Sequence, residues 1–203
     1  MEKVKSKSRT KPKDRDSKQA LINAGIHEVS EFGISGLRIT RLVERASTTT
    51  GAIQYHFDSR EGLLVAVLEE VMNRFSSSVM VLKPKGSIED RLSGVKKLVL
   101  LPGSLRLYKV MINLAVGSRS SATLNKSINK LMKSQVQAFE RMWLTLFSDF
   151  KADQDVLLEI GYHLRMSIWG ACIESEYHGK SFFKKSLDRN IQSTLSSLKE
   201  IME

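Results

Sequence analysis

Apolar side chains recur at three- and four-residue intervals along nearly the whole chain, the period of helices that bury one face. Between residues 16 and 32, Leu21, Ile22, Ala24, Gly25, Val29 and Phe32 form one stripe, and Gly33 stops it. A short second helix, about 39–46, turns Ile39, Leu42, Val43 and Ala46 inward. Thr48, Thr49 and Thr50 favour a helix start over a helix interior, which predicts a third helix over about 50–56. Asp58 and Ser59 cap a fourth, which carries Leu63, Leu64, Val67, Leu68, Val71 and Phe75 to about residue 81, before Pro84 and Gly86 break the pattern. Ser87 and Asp90 have capping-box spacing for a fifth, and Pro102-Gly103 separates it from a sixth over about 104–116. Amphipathic stretches over about 122–150, 153–178 and 182–202 complete nine helices. No strand-like alternation interrupts them, so the predicted fold class is all-α: three short helices, a connector and a bundle.

Charge changes this picture. The 203 residues hold 32 Lys and Arg against 22 Asp and Glu, a formal net charge of +10, which points to a polyanionic partner. The excess sits in two blocks. Residues 1–15 alternate Lys and Arg with Ser, Thr and Pro, have no apolar period and read as a flexible basic arm. The second block is Lys83, Lys85, Arg91, Lys96, Lys97, Arg106, Lys109, Arg119, Lys126, Lys130 and Lys133. It reads as a surface that attracts an anionic effector or DNA, or as a solvated lysine-rich face.

Other chemistry is sparse. His27, His56, His163 and His178 lie on different helices, and Glu174 with His178 is only a two-ligand pair near a helix end. The single cysteine, Cys172, forms no intramolecular disulfide and has no basic neighbour in sequence to activate it. No phosphate loop, nucleophile elbow or paired-carboxylate motif is present. The expectation is therefore no enzyme, no cofactor and no metal. The lysine-rich N-terminus and the lack of a membrane-length apolar run argue against secretion and a membrane, and point to the cytoplasm.

The informative segment runs from Gly36 to Gly62, where a short helix, a tight turn and a second short helix form a helix-turn-helix pattern. On the second of these helices Ile53 and Phe57 share the inward side, opposite Gly51 and Tyr55 with Ala52 and Gln54 beside them. Gln54 can bond an adenine edge in two places, and Ala52 or a threonine methyl can touch a thymine methyl. Gly51 lets the backbone approach closely. Tyr55, His56, Thr48, Thr49 and Thr50 suit phosphate oxygens. Arg38, Arg41, Arg45 and Arg60 flank the segment.

At these residues the chain resembles the TetR family of transcriptional regulators. The carriers are Leu21-Ile22, Ala24-Gly25, Val29 and Gly33, then Leu42-Val43 and Ala46-Ser47. The run Gly51-Ala52-Ile53-Gln54-Tyr55-His56-Phe57 and the following Asp58, Ser59, Arg60, Glu61 and Leu63 complete them. Three positions depart from the family pattern: Arg38 replaces a Ser/Thr cap, Ser47 replaces the turn glycine, and Gln54 stands where a tyrosine is common. The resemblance covers about residues 16–68 by motif. It implies a helix-turn-helix domain over 16–62 and a ligand-sensing and dimerisation domain over 63–203. The function implied is a dimeric repressor bound to a pseudo-palindromic operator in double-stranded DNA and released by a small-molecule effector, anionic or apolar. The DNA contacts expected are Arg38, Thr40, Thr48, Thr49, Thr50, Gly51, Ala52, Gln54, Tyr55, His56 and Arg60. A TetR-type activator, a helical protein that binds nucleic acid by charge alone, and a bundle or enzyme without DNA function stay open.

For the second domain, Gly161, Leu164, Ile168, Ala171 and Ser175 form one stripe, and Leu187, Ile191, Leu195, Leu198 and Met202 another. Together they offer a homodimer contact through the last two helices, or plain packing within one chain. Met111, Phe139, Met142, Trp143, Met166 and Trp169 form bulky faces that read as plain core or as an adaptable apolar pocket, with His163 and Arg165 as its polar anchors and Arg106 as a further candidate contact. Arg165 interrupts the same apolar run as His163.

Overall fold

The structure is a computed structural model that describes residues 12–202, with side chains over residues 16–202. The basic arm lies outside the described residues as far as residue 11, and the last four of its residues already belong to the first helix. Among the described residues there are nine α-helices and one 3-10 turn: α1 (Pro12–Gly36), α2 (Ile39–Arg45), α3 (Thr50–Phe57), α4 (Arg60–Val79), α5 (Ile88–Val99), α6 (Ser104–Gly117), the turn Ser118–Ser120, α7 (Ala122–Leu146), α8 (Gln154–His178) and α9 (Lys180–Met202). The all-α expectation holds. No single helix among the described residues is long and apolar enough to cross a membrane.

The helix ends follow from the caps. Ser59, Ser87 and Ser121 each accept a backbone N–H at the start of α4, α5 and α7, and Asp153 accepts two at the start of α8. Ser87 and Asp90 complete a reciprocal capping box. Gly33 leaves the helix at φ 64° and ψ −175°, a backbone only glycine takes up readily, and one more helical turn follows to Gly36. Side chains take the carbonyls around this kink. Asn113 Nδ2 donates to Val29 O at 3.0 Å, Arg60 Nη2 to Ile34 O at 2.5 Å and Arg41 Nη2 to Gly36 O at 2.7 Å.

Buried residues form two clusters. One joins α1, α2, α3 and α4 to Val110, Met111 and Leu114 of α6 and to Leu124 and Ile128 of α7. The other holds the rest of the bundle: α5, the second half of α7, α8 and α9. The first cluster runs straight across residue 62, the expected domain boundary, because Leu63, Leu64, Val67, Leu68 and Val71 of α4 pack in it. The two stripes offered for a dimer turn inward instead. Gly161, Leu164, Ile168, Ala171 and Ser175 are buried, as are Leu187, Ile191 and Leu198. Much of this area lies between α8 and α9 of one chain.

Candidate functional site

Helix α3 stands on the surface with Ile53 and Phe57 buried beneath it. Gln54 and Gly51 are exposed and Tyr55 is 71% exposed, so the side opposite the core is open along its length. Arg38, Thr40, Thr49 and Thr50 are exposed, and Thr48, Ala52 and His56 are half-buried. The His56 ring lies edge-on to Tyr55 at 4.9 Å between centroids. Thr49 occupies the start of α3 and Arg38 that of α2, and neither side chain caps its helix. The first amides of α3 are thus left without the side-chain acceptor that caps α4, α5, α7 and α8, and they lie beside Thr49 and Thr50. A phosphate oxygen suits them.

Three flanking arginines have other work. Arg60, half-buried, spends a guanidinium N–H on the Ile34 carbonyl and ties the start of α4 to the kink in α1. Arg41 bonds Glu28 at 2.9 Å and lies 4.0 Å from the centre of the Phe32 ring. Arg45 reaches the same Glu28 carboxylate at 3.6 Å. These groups set the angle between α1 and α2 and so place α3. Sequence alone gave no signal for Glu28 as their partner beyond its place in the apolar stripe.

The turn between α2 and α3 takes Ser47 to φ 49°, in the left-handed region that glycine adopts more readily. An L-residue in this region costs about 1–2 kcal/mol, part of which glycine returns through its freer unfolded chain. Ser47→Gly is therefore expected to stabilise the protein by about 0.5–1 kcal/mol, read as a higher Tm in thermal unfolding. An unchanged or lower Tm would refute strain at this turn.

A cavity of about 500 Å³ lies between α4, α5, α6, α7 and α8. Met111, Phe139, Met142, Trp143 and Trp169 line it. So do Tyr108, Phe75 and Met72, which the sequence reading left out. Glu69, Asn73, Ser76, Ser134 and Arg141 line it while exposed, so its mouth opens between α4 and α7. Trp143 packs against Gly161, where a Cβ would come within 2.7 Å of Nε1, and that Nε1 donates to Leu157 O at 2.8 Å.

Three expected pocket residues do not reach the cavity. Arg106 is exposed, because α6 presents Tyr108 and Met111 and a residue two positions earlier points about 200° away. His163 is exposed and Met166 is 61% exposed, on the side of α8 opposite Leu164 and Ile168. The polar group inside is Arg165, two positions from His163 and therefore on the other side of the helix.

The second basic block is also thinner than its composition. Arg91 is 3% exposed and bonded to Asp149, Lys96 pairs with Asp188 at 2.7 Å and Lys109 with Glu176 at 2.5 Å. Cys172 is buried, and its thiol is pushed up to about 11 by burial, which suits packing and not reactivity.

Comparison with known proteins agrees with this geometry. The family model for bacterial regulatory proteins of the tetR family matches residues 21–67. The HTH-type transcriptional regulator BetI of Escherichia coli strain K12 is 24% identical over 174 residues, 82% of this chain and 86% of BetI. A transcriptional regulator from Rhodococcus sp. Rha1 superposes with a TM-score of 0.73 at 16% identity, over 89% of this chain and 96% of that one. Regulatory protein TetR from Rhodobacter sphaeroides gives a TM-score of 0.72 at 18% identity, over 88% and 98%.

Proposed function

Since the chain belongs to the TetR family and is a DNA-binding transcriptional regulator, we propose that it represses by seating α3 in the major groove of an operator and lets go when a small molecule fills the cavity. The observation that carries this is the outward face of α3. Gln54 and Tyr55 stand free of the core on a rigid helix, beside amides that no side chain caps. Gln54 reads a base edge. Tyr55, Thr49, Thr50 and Arg38 grip phosphates and fix the register without reading sequence.

The active unit we propose is a homodimer that meets through α8. Met166, Gly170, Ile173 and Tyr177 follow one another at i, i+4, i+7 and i+11 and are all exposed. This apolar row is what α8 leaves uncovered once its other side is spent on α9. A two-fold axis there would present two copies of α3 to a pseudo-palindromic operator with half-sites about one DNA turn apart, or a multiple. The effector acts through α6, which carries Tyr108 and Met111 in the cavity wall and Asn113 on the Val29 carbonyl of α1. It releases DNA only if it binds the non-operator spacing of the two α3 helices more tightly.

The test is binding to the DNA upstream of the protein's own gene and to a scrambled duplex, across a salt series, with footprinting. A two-fold protected site with a specificity ratio of about 10³ or more is expected. Gln54→Ala should cost about 1–3 kcal/mol at one base pair and relax preference there. Equal loss on specific and scrambled DNA would remove Gln54 as a base reader. Equal, steeply salt-dependent binding of the unmutated protein to both duplexes would favour attraction by charge alone.

A further inference from the structure

The cavity is apolar on most of its walls but holds one interior cation. Arg165 projects into it from α8, and its Nε is buried with no hydrogen-bond partner. Its Nη2 donates to Gln135 Oε1 at 3.1 Å. The guanidinium lies 4.9 Å from the Trp169 ring centre and 5.9 Å from that of Phe139, which fixes its plane. No carboxylate pairs with it among the described residues. The one acid of α7, Glu140, accepts a hydrogen bond from the Tyr162 hydroxyl. The acid of the lining, Glu69, is an exposed residue of α4. Burial disfavours the charged form of Arg165, yet a guanidinium stays protonated. An ion with an unused donor is therefore held against an apolar cavity.

We propose that the cavity takes an amphipathic organic anion: a carboxylate with a medium-sized apolar body, its head on the free Nε–H of Arg165 and its body among Trp143, Met142, Met111 and Tyr108. A carboxylate matches the guanidinium fork and satisfies the orphaned donor. The aromatic faces of Trp169 and Phe139 already carry a cation, so an organic ammonium of the same size is repelled where it would otherwise stack. Arg165 is thus the determinant of effector charge. This inference rests on the reading of the cavity as the effector site.

The experiment compares 4-phenylbutyrate and decanoate with their neutral primary amides and their ammonium analogues. The readout is the chain's own fluorescence, since its two tryptophans, Trp143 and Trp169, both line the cavity. The carboxylates should bind at least about tenfold more tightly than the amides, and the ammonium compounds most weakly. In Arg165→Met this preference should fall to within about twofold while amide affinity is kept, and Arg165→Lys should retain part of it. Should the methionine variant not fold, the amide comparison on the wild type and the lysine variant decide. Amides that bind as well as carboxylates, or a preference that survives Arg165→Met, would overturn the charge assignment and leave the cavity reading standing. No binding of any probe to the wild type would overturn both, while operator binding would remain to support the DNA-binding role by itself.

Discussion

Arg91→Met is expected to lower the free energy of unfolding by about 3 kcal/mol. Arg91 is 3% exposed at the start of α5. Its Nη1 donates to Leu146 O at 2.6 Å, Nη1 and Nη2 reach the two Asp149 oxygens at 2.5 and 2.6 Å, and Nε and Nη2 share Gly86 O at 3.2 and 3.1 Å. Methionine keeps an apolar stem of similar reach but supplies no donor. The Leu146 carbonyl loses a buried partner, and an unmade buried bond costs about 1–3 kcal/mol, while the Gly86 carbonyl belongs to an exposed residue and rehydrates. Asp149 is 55% exposed and simply rehydrates, so Asp149→Asn should cost clearly less than Arg91→Met. Urea unfolding of both variants separates these contributions, and equal losses would place the effect on the ion pair and not on the Leu146 carbonyl. The pH dependence follows the same pair. Arg91 holds the Asp149 carboxyl below its ordinary value of 3.8. The contribution is complete above that value and is lost as the pH falls through the lower value of the folded state. The gap between wild type and Asp149→Asn should therefore be flat from about pH 5 to 8 and close only in acid.

The second large effect concerns the DNA-binding helices. Glu28 is 0% exposed, and its carboxylate is held by Arg41 at 2.9 Å and by Arg45 at 3.6 Å. Its Oε1 has no hydrogen bond of its own. Arg41→Ala leaves a fully buried carboxylate with only the longer contact, at an expected cost of about 3 kcal/mol, and frees the Gly36 carbonyl as well. Operator affinity should fall with stability, because α1 and α2 lose the group that sets their angle. The double variant Glu28→Leu with Arg41→Leu removes both charges and should recover most of the stability. If the double variant is no more stable than Arg41→Ala, the loss comes from elsewhere than the buried charge.

Both pairs show where a sequence stops being legible. Period and cap chemistry located every helix to within a few residues, because burial and capping are local demands. The same period, followed strictly, places Arg91 with Val95 and Val99, and Glu28 with Leu21 and Ala24, on buried faces. Arg91 counted as surface charge only because arginine usually is. Its partner is 58 residues away, and no local pattern points to a contact at that range. The cavity was half legible for the same reason. Aromatic and methionine positions on α7 and α8 marked a wall, but choosing between His163 and Arg165 needed the angle around α8. Tyr108 and Gln135 became lining residues only through helix packing. On α3 the exposure of Gly51, Gln54 and Tyr55 was legible, since a short helix with two inward anchors leaves little choice there, while Ala52 packs partly against the core.

The apolar cluster shared by α1 to α4, α6 and the start of α7 makes the DNA-binding unit non-transplantable at its apparent border. Cutting the chain after residue 62 would strip Val29, Leu21 and Ile34 of the side chains from α4 and α6 that cover them. A graft onto another sensor would have to carry α4 and its own α6 face along. The workable junctions of this architecture therefore lie inside the bundle, past α4 and not before it.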